Sequence, residues 1–271
     1  MRFSIVIVNY NTGAYIEKAI LSVLGQTIKD YELIVVDGGS KDNSVEVIKK
    51  YDNQISWWVS EPDKGQSDAF NKGFSHAKGD FFLWLNADDL MLPDALEKAS
   101  KYIEKYPRIK WFFANTIYVD SDDKIMDVSW GCNFSLCVTR RGHIMPSGPT
   151  TFFHRTLLEN YGPFEVSYHY TMDGDLWRKF ANGGASYKMI NGFCWVFRLH
   201  EESKTTNVYL GGNNPKVDEE YKKQIELNHV RKYWYVIAYQ KIKRFFLSYP
   251  IQFLGKLIYK GQDIYESRFW K

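Results

Sequence analysis

Residues 3–11 read FSIVIVNYN, and residues 32–40 read ELIVVDGGS. Each stretch is a run of apolar, mostly β-branched residues that ends abruptly in small polar residues. Uninterrupted apolar runs of this kind are typical of strands that are buried on both faces of a parallel sheet. Between the two runs, the apolar residues of segment 15–24 recur at helical spacing. This stretch therefore predicts a strand, a crossover helix and a second parallel strand.

The same alternation continues along the chain. The pattern predicts helices at 44–51 and 66–76, and strands at 55–59 and 81–85. A further helix is predicted from Pro93 onward, with the proline at its first position. Short turns between alternating elements predict a doubly wound parallel sheet through about residue 115. After Trp111 the rhythm weakens, and we expect antiparallel strands, loops and helices to mix.

Composition narrows the class of protein. The chain has 271 residues, of which 45% are hydrophobic and 17% aromatic, so intrinsic disorder is excluded as its main state. A formal net charge of +3 argues against a uniformly basic nucleic-acid binder. The three cysteines, Cys132, Cys137 and Cys194, show no metal-type clustering and favour a reducing compartment. We read the N-terminal run as a strand and not a signal peptide, and we expect a cytoplasmic protein.

The small net charge conceals an asymmetry. Residues 221–271 carry eleven Lys or Arg against three acids, which makes this segment +8 and leaves residues 1–220 at −5. The segment also holds thirteen aromatic residues, and no stretch reaches the ~18 apolar residues of a membrane span. A basic, aromatic segment suits peripheral contact with an anionic membrane through residues 222–271. The alternative is a C-terminal helical pair that packs on the core and keeps a solvated basic face.

Polar side chains follow the predicted parallel strands where each strand ends. Ligands of open α/β sheets bind at this edge, so an aromatic residue, several carboxylates and a lysine should converge there. The two common phosphate-binding glycine loops, G-x-G-x-x-G after the first strand and G-x-x-x-x-G-K-[ST], are absent from the sequence. A nucleotide diphosphate held by carboxylates through a divalent cation is the physical alternative.

Five ordered motifs carry a family resemblance: SIVIVNYN, VLGQT, ELIVVDGGSKDNS, SEPDKGQSDAFNKG and GDFFLWLNADD. With MDGDLWRKFA and FRLHEESKT further on, they resemble glycosyltransferase family 2, in the branch found in bacterial O-antigen and capsule synthesis. The resemblance covers roughly residues 3–206. It implies an α/β fold of the GT-A type, a Rossmann-like mixed sheet flanked by helices, plus a C-terminal helical extension. Residues 1–215 would be the catalytic domain (1–115 binding the nucleotide sugar, 116–215 the acceptor), and 216–271 the extension.

The resemblance also implies an inverting enzyme with a nucleoside-diphosphate sugar donor, UDP-sugar favoured, and a divalent cation, Mn²⁺ or Mg²⁺. The acceptor would be a saccharide or a polyprenyl-linked saccharide, without nucleic acid. Matching positions assign the donor to Val8, Tyr10, Asp37, Lys64, Asp68 and Asp88. The metal would be held by Asp89, with weaker roles for His200 and Asp88. Gly38 stands where the family often has a second acid, which leaves the base open.

Asp173 matches the family's general base, and we expect the neighbouring Asp175 to be structural and to cap the helix that follows. For several of these residues a structural role is the alternative. Asp37 can be a turn residue that bonds its own backbone, and Asp68 can pair with Lys72 on a helix surface. Trp177 and Trp195 can line an acceptor subsite or pack in the core. His143, Pro146 and Ser147 would border the acceptor, and Ser203 and Lys204 would close over the donor.

Two other functions remain open from the sequence. A nucleotidyltransferase is disfavoured because no glycine- and arginine-rich phosphate loop follows the first strand. A non-catalytic sugar-nucleotide-binding subunit at the membrane is disfavoured because Asp89 and Asp173 are both present.

Overall fold

The computed structural model describes residues 3–129, 148–201, 203, 204, 206, 214–227 and 249–270. The described strands are β1 (Phe3–Asn9), β2 (Tyr31–Asp37), β3 (Trp57–Ser60), β4 (Phe81–Asn86), β5 (Leu90–Met91), β6 (Trp111–Val119), β7 (Ile125–Ser129), β8 (Thr151–His154) and β9 (Tyr187–Arg198). The described helices are α1 (Ile16–Leu24), α2 (Ser44–Lys50), α3 (Gln66–His76), α4 (Ala95–Lys105), α5 (Arg155–Tyr161), α6 (Met172–Asn182), α7 (Pro215–Leu227) and α8 (Tyr249–Tyr259). Cys132, Cys137, His143, Pro146 and Ser147 lie outside the described residues.

These strands form one sheet in the order β3-β2-β1-β4-β8-β6-β9-β5, with β7 paired to β6 off this path. The first four strands are parallel. Strand β8 is antiparallel to both β4 and β6, while β9 runs parallel to β6. The predicted class, a parallel α/β half that changes to a mixed sheet, is therefore confirmed.

Two apolar cores lie on the two faces of the sheet, as the period-two alternation of strand side chains requires. Ile5 and Ile7 of β1 pack with α1, α2 and α4 on one face, and Val6 and Val8 pack with α3 and α6 on the other. Helix α3 approaches the sheet so closely at Gly73 that an added Cβ would lie 2.3 Å from Val6 Cγ1. This close approach brings the N-terminus of α3 to the edge where the parallel strands end.

The structure differs locally from the sequence prediction at two elements. The third strand covers Trp57–Ser60 and not 55–59, since Ile55 turns into the core before pairing with β2 begins. Helix α4 begins at Ala95, two residues after Pro93, because Leu90 and Met91 first pair with β9.

Trp177 and Trp195 lie in the core and do not line an acceptor subsite. The Trp177 ring stacks between those of Trp84 and Trp111, at centroid distances of 5.4 and 5.2 Å. Trp195 is also fully buried, in the core that contains α1 and α4. Neither ring is exposed to a cleft in which a sugar could pack against it.

The described parts of the C-terminal segment contact the rest of the fold. Helix α7 begins at Pro215, where the sequence suggested a boundary, and it packs near the N-terminus of α6 through Glu220 and Gln224. Helix α8 packs on β7. Within the described ranges no helix combines the length and the apolar character that crossing a bilayer requires.

Candidate functional site

The carboxyl ends of the parallel strands are in register at one edge of the sheet. Asn9 pairs with Asp37, Asp37 with Ser60, and Val8 with Asn86. The Val8 side chain is buried, and the Val8 carbonyl accepts the Ala87 N–H at 3.0 Å. Val8 therefore contributes its backbone to this edge, and not its side chain. Polar residues that are distant in sequence thus meet in one cleft.

Asp37 organises the floor of this cleft. Its carboxylate is fully buried and accepts hydrogen bonds from the side chains of Asn9 (2.6 Å), Ser40 and Ser60 (both 2.5 Å). It also accepts the backbone N–H groups of Gly39 and Ser40. Five donors engage its oxygens, so Asp37 fixes the loop after β2 at the base of the cleft.

Tyr10 stands at the mouth of the cleft. Its side chain is 64% exposed, unusual for so large a ring, and the ring lies against Gly38. A Cβ added at Gly38 would lie 3.3 Å from Tyr10 Cδ2 and 2.7 Å from Asp63 Oδ2. Burial raises the pKa of Asp63. An exposed aromatic face beside a glycine and a carboxylate forms a notch that a flat heterocycle can enter.

We expect Gly38→Ala to weaken the binding of any ligand seated in this notch by about tenfold, because the methyl group would displace the Asp63 carboxylate by a few tenths of an ångström or more. Calorimetric titration measures the effect. Gly192→Ala is the control, because Gly192 does not have a positive φ and its added Cβ would meet only the flexible Lys98 side chain, at 3.3–3.8 Å. Unchanged affinity of Gly38→Ala would show that the notch is not the binding surface.

The loop before α3 supplies Lys64, and the first turn of α3 supplies Asp68. Lys64 is exposed, and its backbone N–H donates to the Asp68 carboxylate at 3.0 Å. Lys72 pairs with Glu61 at 2.7 Å and Asp68 accepts the Lys64 N–H, so these two contacts replace the Asp68–Lys72 pair that the helical spacing suggested. The Lys64 ammonium group is left at the rim of the cleft.

The end of β4 places two neighbouring carboxylates in different surroundings. Asp89 is 1% exposed, and it accepts the Arg198 N–H and the Asn86 amide, both at 3.0 Å. Burial and the adjacent Asp88 hold the pKa of Asp89 well above its ordinary value. Asp88 is partly exposed, and its Oδ2 atom lies at hydrogen-bond distance, 3.0 Å, from His200 Nε2. Asp88 therefore faces the cleft more directly than Asp89.

Arg198 connects β9 to the corner formed by Asp88 and Asp89. In the sequence, its place in the FRLHEESKT motif is the only signal that could have identified it. Its guanidinium donates to the carbonyls of Asp88 (2.9 Å) and Asp120 (3.2 Å), and pairs with the Asp123 carboxylate at 2.5 Å. Asp123 is buried and also pairs with Lys18 at 2.6 Å. The backbone around Asp88 and Asp89 is thereby fixed from β9.

A divalent cation fits this corner only with help from a bound ligand. Across the part of the chain that the structure describes, no three His, Cys, Asp or Glu side chains form a ready metal site. Asp88 and His200 nevertheless bring a carboxylate and an imidazole to one point, while both Asp89 oxygens already accept protein donors. Mg²⁺ and related cations often take one or two protein ligands and complete their shell with phosphate oxygens and water.

Asp173 lies in the first turn of α6, partly exposed, with its Oδ1 accepting the Gly174 N–H at 2.7 Å. The preceding residue, Met172, contacts Ser67 of α3 through a 3.0 Å hydroxyl–sulfur interaction, so the N-termini of α6 and α3 adjoin. Asp175 is buried and pairs with Arg178 (3.0 Å) and Lys179 (2.9 Å). Its place is inside the helix and not at a cap, and Thr171 occupies the N-cap position.

Glu220 of α7 fixes the approach to Asp173, and nothing in the sequence signalled it. Its carboxylate accepts the backbone N–H groups of His169, Tyr170 and Thr171 at 2.8–3.0 Å, and the Thr171 hydroxyl at 3.0 Å. Gln224, one turn later, donates to the Thr171 carbonyl at 2.9 Å and accepts from Arg178 at 2.8 Å. Helix α7 therefore anchors the backbone that leads into α6.

With Asp173 as the general base that the resemblance implies, we expect Glu220→Ala to lower kcat by about 10–100-fold and to leave the KM for the donor within twofold, because loss of the anchor displaces Asp173 and leaves the Tyr10 notch in place. Steady-state kinetics separates the two parameters, and Glu220→Gln should restore part of kcat because it keeps an acceptor oxygen. Glu219→Ala, an exposed neighbour on the same helix, is the matched control. Equal losses in both variants would contradict a positioning role for Glu220.

Lys204 interacts electrostatically with carboxylates on both sides of the cleft. Desolvation of its ammonium group lowers the pKa of Lys204, and the carboxylates of Asp63, Glu220 and Asp88 act in the opposite direction. These three carboxylates belong to separate segments of the chain, and the Lys204 side chain is exposed.

Comparison with known proteins identifies the family and matches the fold. The family model described as glycosyl transferase family 2 matches residues 4–161, more than half of the chain. The chain belongs to this family. An uncharacterized glycosyltransferase of Rickettsia typhi is 32% identical over 222 residues, which cover 76% of the chain and 66% of that protein. A PGL/p-HBAD biosynthesis glycosyltransferase of Mycobacterium bovis is 26% identical over 233 residues, covering 83% and 84%. The chain thus spans about two thirds of the first relative's length.

Two solved structures share the architecture of this chain. S. aureus TarS 1–349 in complex with UDP-GlcNAc superimposes with a TM-score of 0.66 at 19% identity, covering 84% of this chain and 65% of that chain. The mannosyltransferase PcManGT from Pyrobaculum calidifontis, in complex with GDP-Man and Mn²⁺, gives a TM-score of 0.58 at 16% identity and covers 89% and 79%. The expectation of a GT-A fold is confirmed, as is the recognition of family 2.

Proposed function

We propose that the chain is an inverting glycosyltransferase that moves a sugar from a nucleoside-diphosphate sugar to a hydroxyl of a saccharide or lipid-linked saccharide acceptor. The observation that carries the proposal is the meeting of the Tyr10–Gly38–Asp63 notch, the Asp88–His200 corner and the N-terminus of α6 at one edge of the sheet. The cleft offers an aromatic platform at one end and a carboxylate on a helix at the other. A nucleotide sugar needs recognition at both ends.

The donor would lie across the cleft with its base on Tyr10 and its diphosphate toward Lys64 and Lys204. Stacking on the exposed ring and the carboxylate of Asp63 would select the base, because an acceptor beside the ring pairs with an N–H of a heterocycle. The UDP-GlcNAc complex of TarS and the GDP-Man complex of PcManGT support a nucleotide sugar as ligand. We favour a UDP-sugar. Asp68 and Asp37 would support the donor loop through the backbone contacts described above.

Asp173 would act as the general base. In an inverting transfer the acceptor oxygen forms a bond to the anomeric carbon as the bond from that carbon to the diphosphate oxygen breaks. The hydroxyl proton passes to Asp173, and the electron pair leaves with the nucleoside diphosphate. A partly exposed carboxylate in the first turn of a helix, anchored by Glu220, is accessible to a hydroxyl and held in one orientation.

Asp88 and His200 would hold a divalent cation, Mn²⁺ or Mg²⁺, together with oxygens of the donor. When bound, such an ion supplies positive charge that stabilises the leaving diphosphate. Asp89, whose oxygens are engaged by Arg198 and Asn86, would keep Asp88 in place. The Mn²⁺ in the PcManGT complex supports this part of the proposal.

The biological setting we propose is the synthesis of a surface polysaccharide or glycolipid. The M. bovis relative, named for PGL/p-HBAD biosynthesis, supports a role in assembling a cell-surface glycoconjugate. A lipid-linked acceptor would also give the basic C-terminal extension a purpose, since enzyme and substrate would then meet at the membrane surface. The catalytic unit would comprise residues 1–215 and the extension residues 216–271.

The experiment is a donor screen by turnover. Purified full-length protein is incubated with UDP-, GDP-, dTDP- and CMP-linked sugars, with Mn²⁺ or Mg²⁺ and a mixture of saccharide and polyprenyl-phosphate acceptors, and the released nucleotide is measured. We expect metal-stimulated release from one donor class that requires Asp88 and is lost in Asp88→Ala. Binding of a donor without release under every acceptor condition would favour a non-catalytic subunit.

A further inference from the structure

Helix α8 presents an apolar face to solvent. Four large side chains are exposed on it, namely Phe253 (65%), Leu254 (56%), Leu257 (66%) and Ile258 (58%). Their spacing of one, four and five residues places them on a single side of the helix. Among the described residues, the other large exposed hydrophobic side chains are Tyr10, which belongs to the cleft, and Leu21. Exposed apolar surface is thus concentrated on α8, and such patches mark interaction sites.

The opposite side of α8 is firmly attached to the fold, so the apolar face is not a loosely packed part of the core. Tyr259 is buried against β7 and its neighbours. Beyond the helix, Gly261 and Gln262 exchange backbone hydrogen bonds with Ile125, at 2.7 and 2.8 Å. Lys124 pairs with Asp263 at 2.9 Å. These contacts fix the orientation of α8 and direct its apolar face outward.

Charge indicates what covers this face. Lys256 lies on α8 and Lys260 directly after its last residue, and both are exposed, Lys256 with a long 3.9 Å contact to Asp127. Residues 221–271 carry a net charge of +8, against −5 for residues 1–220. Two copies of the chain that met through this segment would bring like charges together. A bilayer with anionic headgroups instead accepts the apolar side chains among its acyl chains and attracts the lysines at the same time.

We propose that Phe253, Leu254, Leu257 and Ile258 form the contact between this protein and the surface of an anionic bilayer. The helix lies in the interface plane, with its lysines at the headgroups. The inference deepens the proposed function, since it supplies the surface on which a lipid-linked acceptor would be met. It does not depend on catalysis, because binding to lipid requires neither donor nor acceptor.

The same contacts connect the membrane face to the cleft. Ile264 donates its N–H to the carbonyl of Asp123 at 3.0 Å, and Asp123 pairs with Arg198, which holds the backbone of Asp88. A rigid path of hydrogen bonds therefore runs from the end of α8 to the corner of the site. Contact through α8 would consequently set the orientation of the cleft relative to the bilayer.

The test is co-sedimentation of the full-length protein with vesicles, without donor or acceptor. We expect binding to vesicles that contain about one-third phosphatidylglycerol, with weaker binding to pure phosphatidylcholine and at high salt. The double variant Phe253→Ser, Leu257→Ser should bind at least about tenfold more weakly, since two large apolar side chains no longer enter the bilayer. Leu21→Ser, which removes an exposed apolar side chain from α1, should bind like the wild type.

Folding and activity are checked on the same samples. Circular dichroism should show that the double variant is folded, and turnover of a water-soluble acceptor should match the wild type, so that a failure of the lipid contact is distinguishable from a failure of the proposed function. Equal vesicle binding by wild type and double variant would overturn the proposal. So would a dimer in sedimentation experiments that the double variant dissociates, because a second copy would then be the occupant of this face.

Discussion

Asp173→Asn is expected to lower the rate of sugar transfer by about 10²–10⁴-fold, the range that a general base contributes. The amide keeps the size of the side chain and its place in the first turn of α6, but it cannot take the proton of an acceptor hydroxyl. Because the Tyr10 notch lies on a different element, the dissociation constant for the donor should stay within about twofold. Single-turnover kinetics with saturating donor, together with calorimetric titration, measures both quantities.

Asp175→Asn is the matched control for this prediction, since it changes the same chemical group two residues away. It should weaken the ion pairs with Arg178 and Lys179 and lower the melting temperature, while transfer falls by less than about tenfold. Transfer by Asp173→Asn within tenfold of the wild type would show that the proton goes elsewhere. A larger loss of transfer in Asp175→Asn than in Asp173→Asn would exchange the roles of the two carboxylates.

Arg198→Met is expected to lower the free energy of unfolding by about 3–5 kcal/mol. The guanidinium is 1% exposed and pairs with Asp123, which is itself buried. Its removal leaves that carboxylate paired with Lys18 and takes one hydrogen-bond donor from each of the carbonyls of Asp88 and Asp120. Replacing a long side chain by one of similar length limits the contribution of lost packing. Denaturant unfolding followed by circular dichroism measures the change.

The control is Arg155→Met, which breaks a pair with Glu159 whose side chains are 39% and 52% exposed. An exposed pair of this kind should cost less than about 1 kcal/mol. The double variant Arg198→Met, Asp123→Asn should be more stable than the sum of the two single effects implies, because the buried charge is removed with its partner. Similar losses for Arg198→Met and Arg155→Met would contradict the importance of the buried network.

The sequence was sufficient for the parallel half of the fold because local patterns determine it. Apolar runs such as Phe3–Val8 specify buried strands, and the helix predicted at 66–76 coincides with α3. The mixed half of the sheet was harder to predict from the sequence, since its strand pairings join segments that are distant along the chain. The bridge from Leu90 and Met91 to β9, for example, spans about a hundred residues and delays the start of α4 beyond Pro93.

The residues at the strand ends were predictable as a group, because parallel strands bring their carboxyl ends to one edge. Their individual positions were not. Asp37 and Asp89 have the same side chain as Asp88, but burial and hydrogen bonds place the first two inside the structure and leave Asp88 in the cleft. Arg198 and Glu220 were missed for a related reason, since each acts through contacts that only the folded chain creates.

Binding of nucleotide sugars to the purified protein tests the central claim most directly. Titration calorimetry with UDP-, GDP-, dTDP- and CMP-sugars, each with and without Mn²⁺, should find one class that binds and whose affinity rises with the metal. Tyr10→Ala should weaken that binding by about tenfold or more through loss of base stacking. If no nucleotide sugar binds in the presence of metal, or if Tyr10→Ala and Asp88→Ala bind the donor as the wild type does, the cleft is not a donor site and the account is wrong.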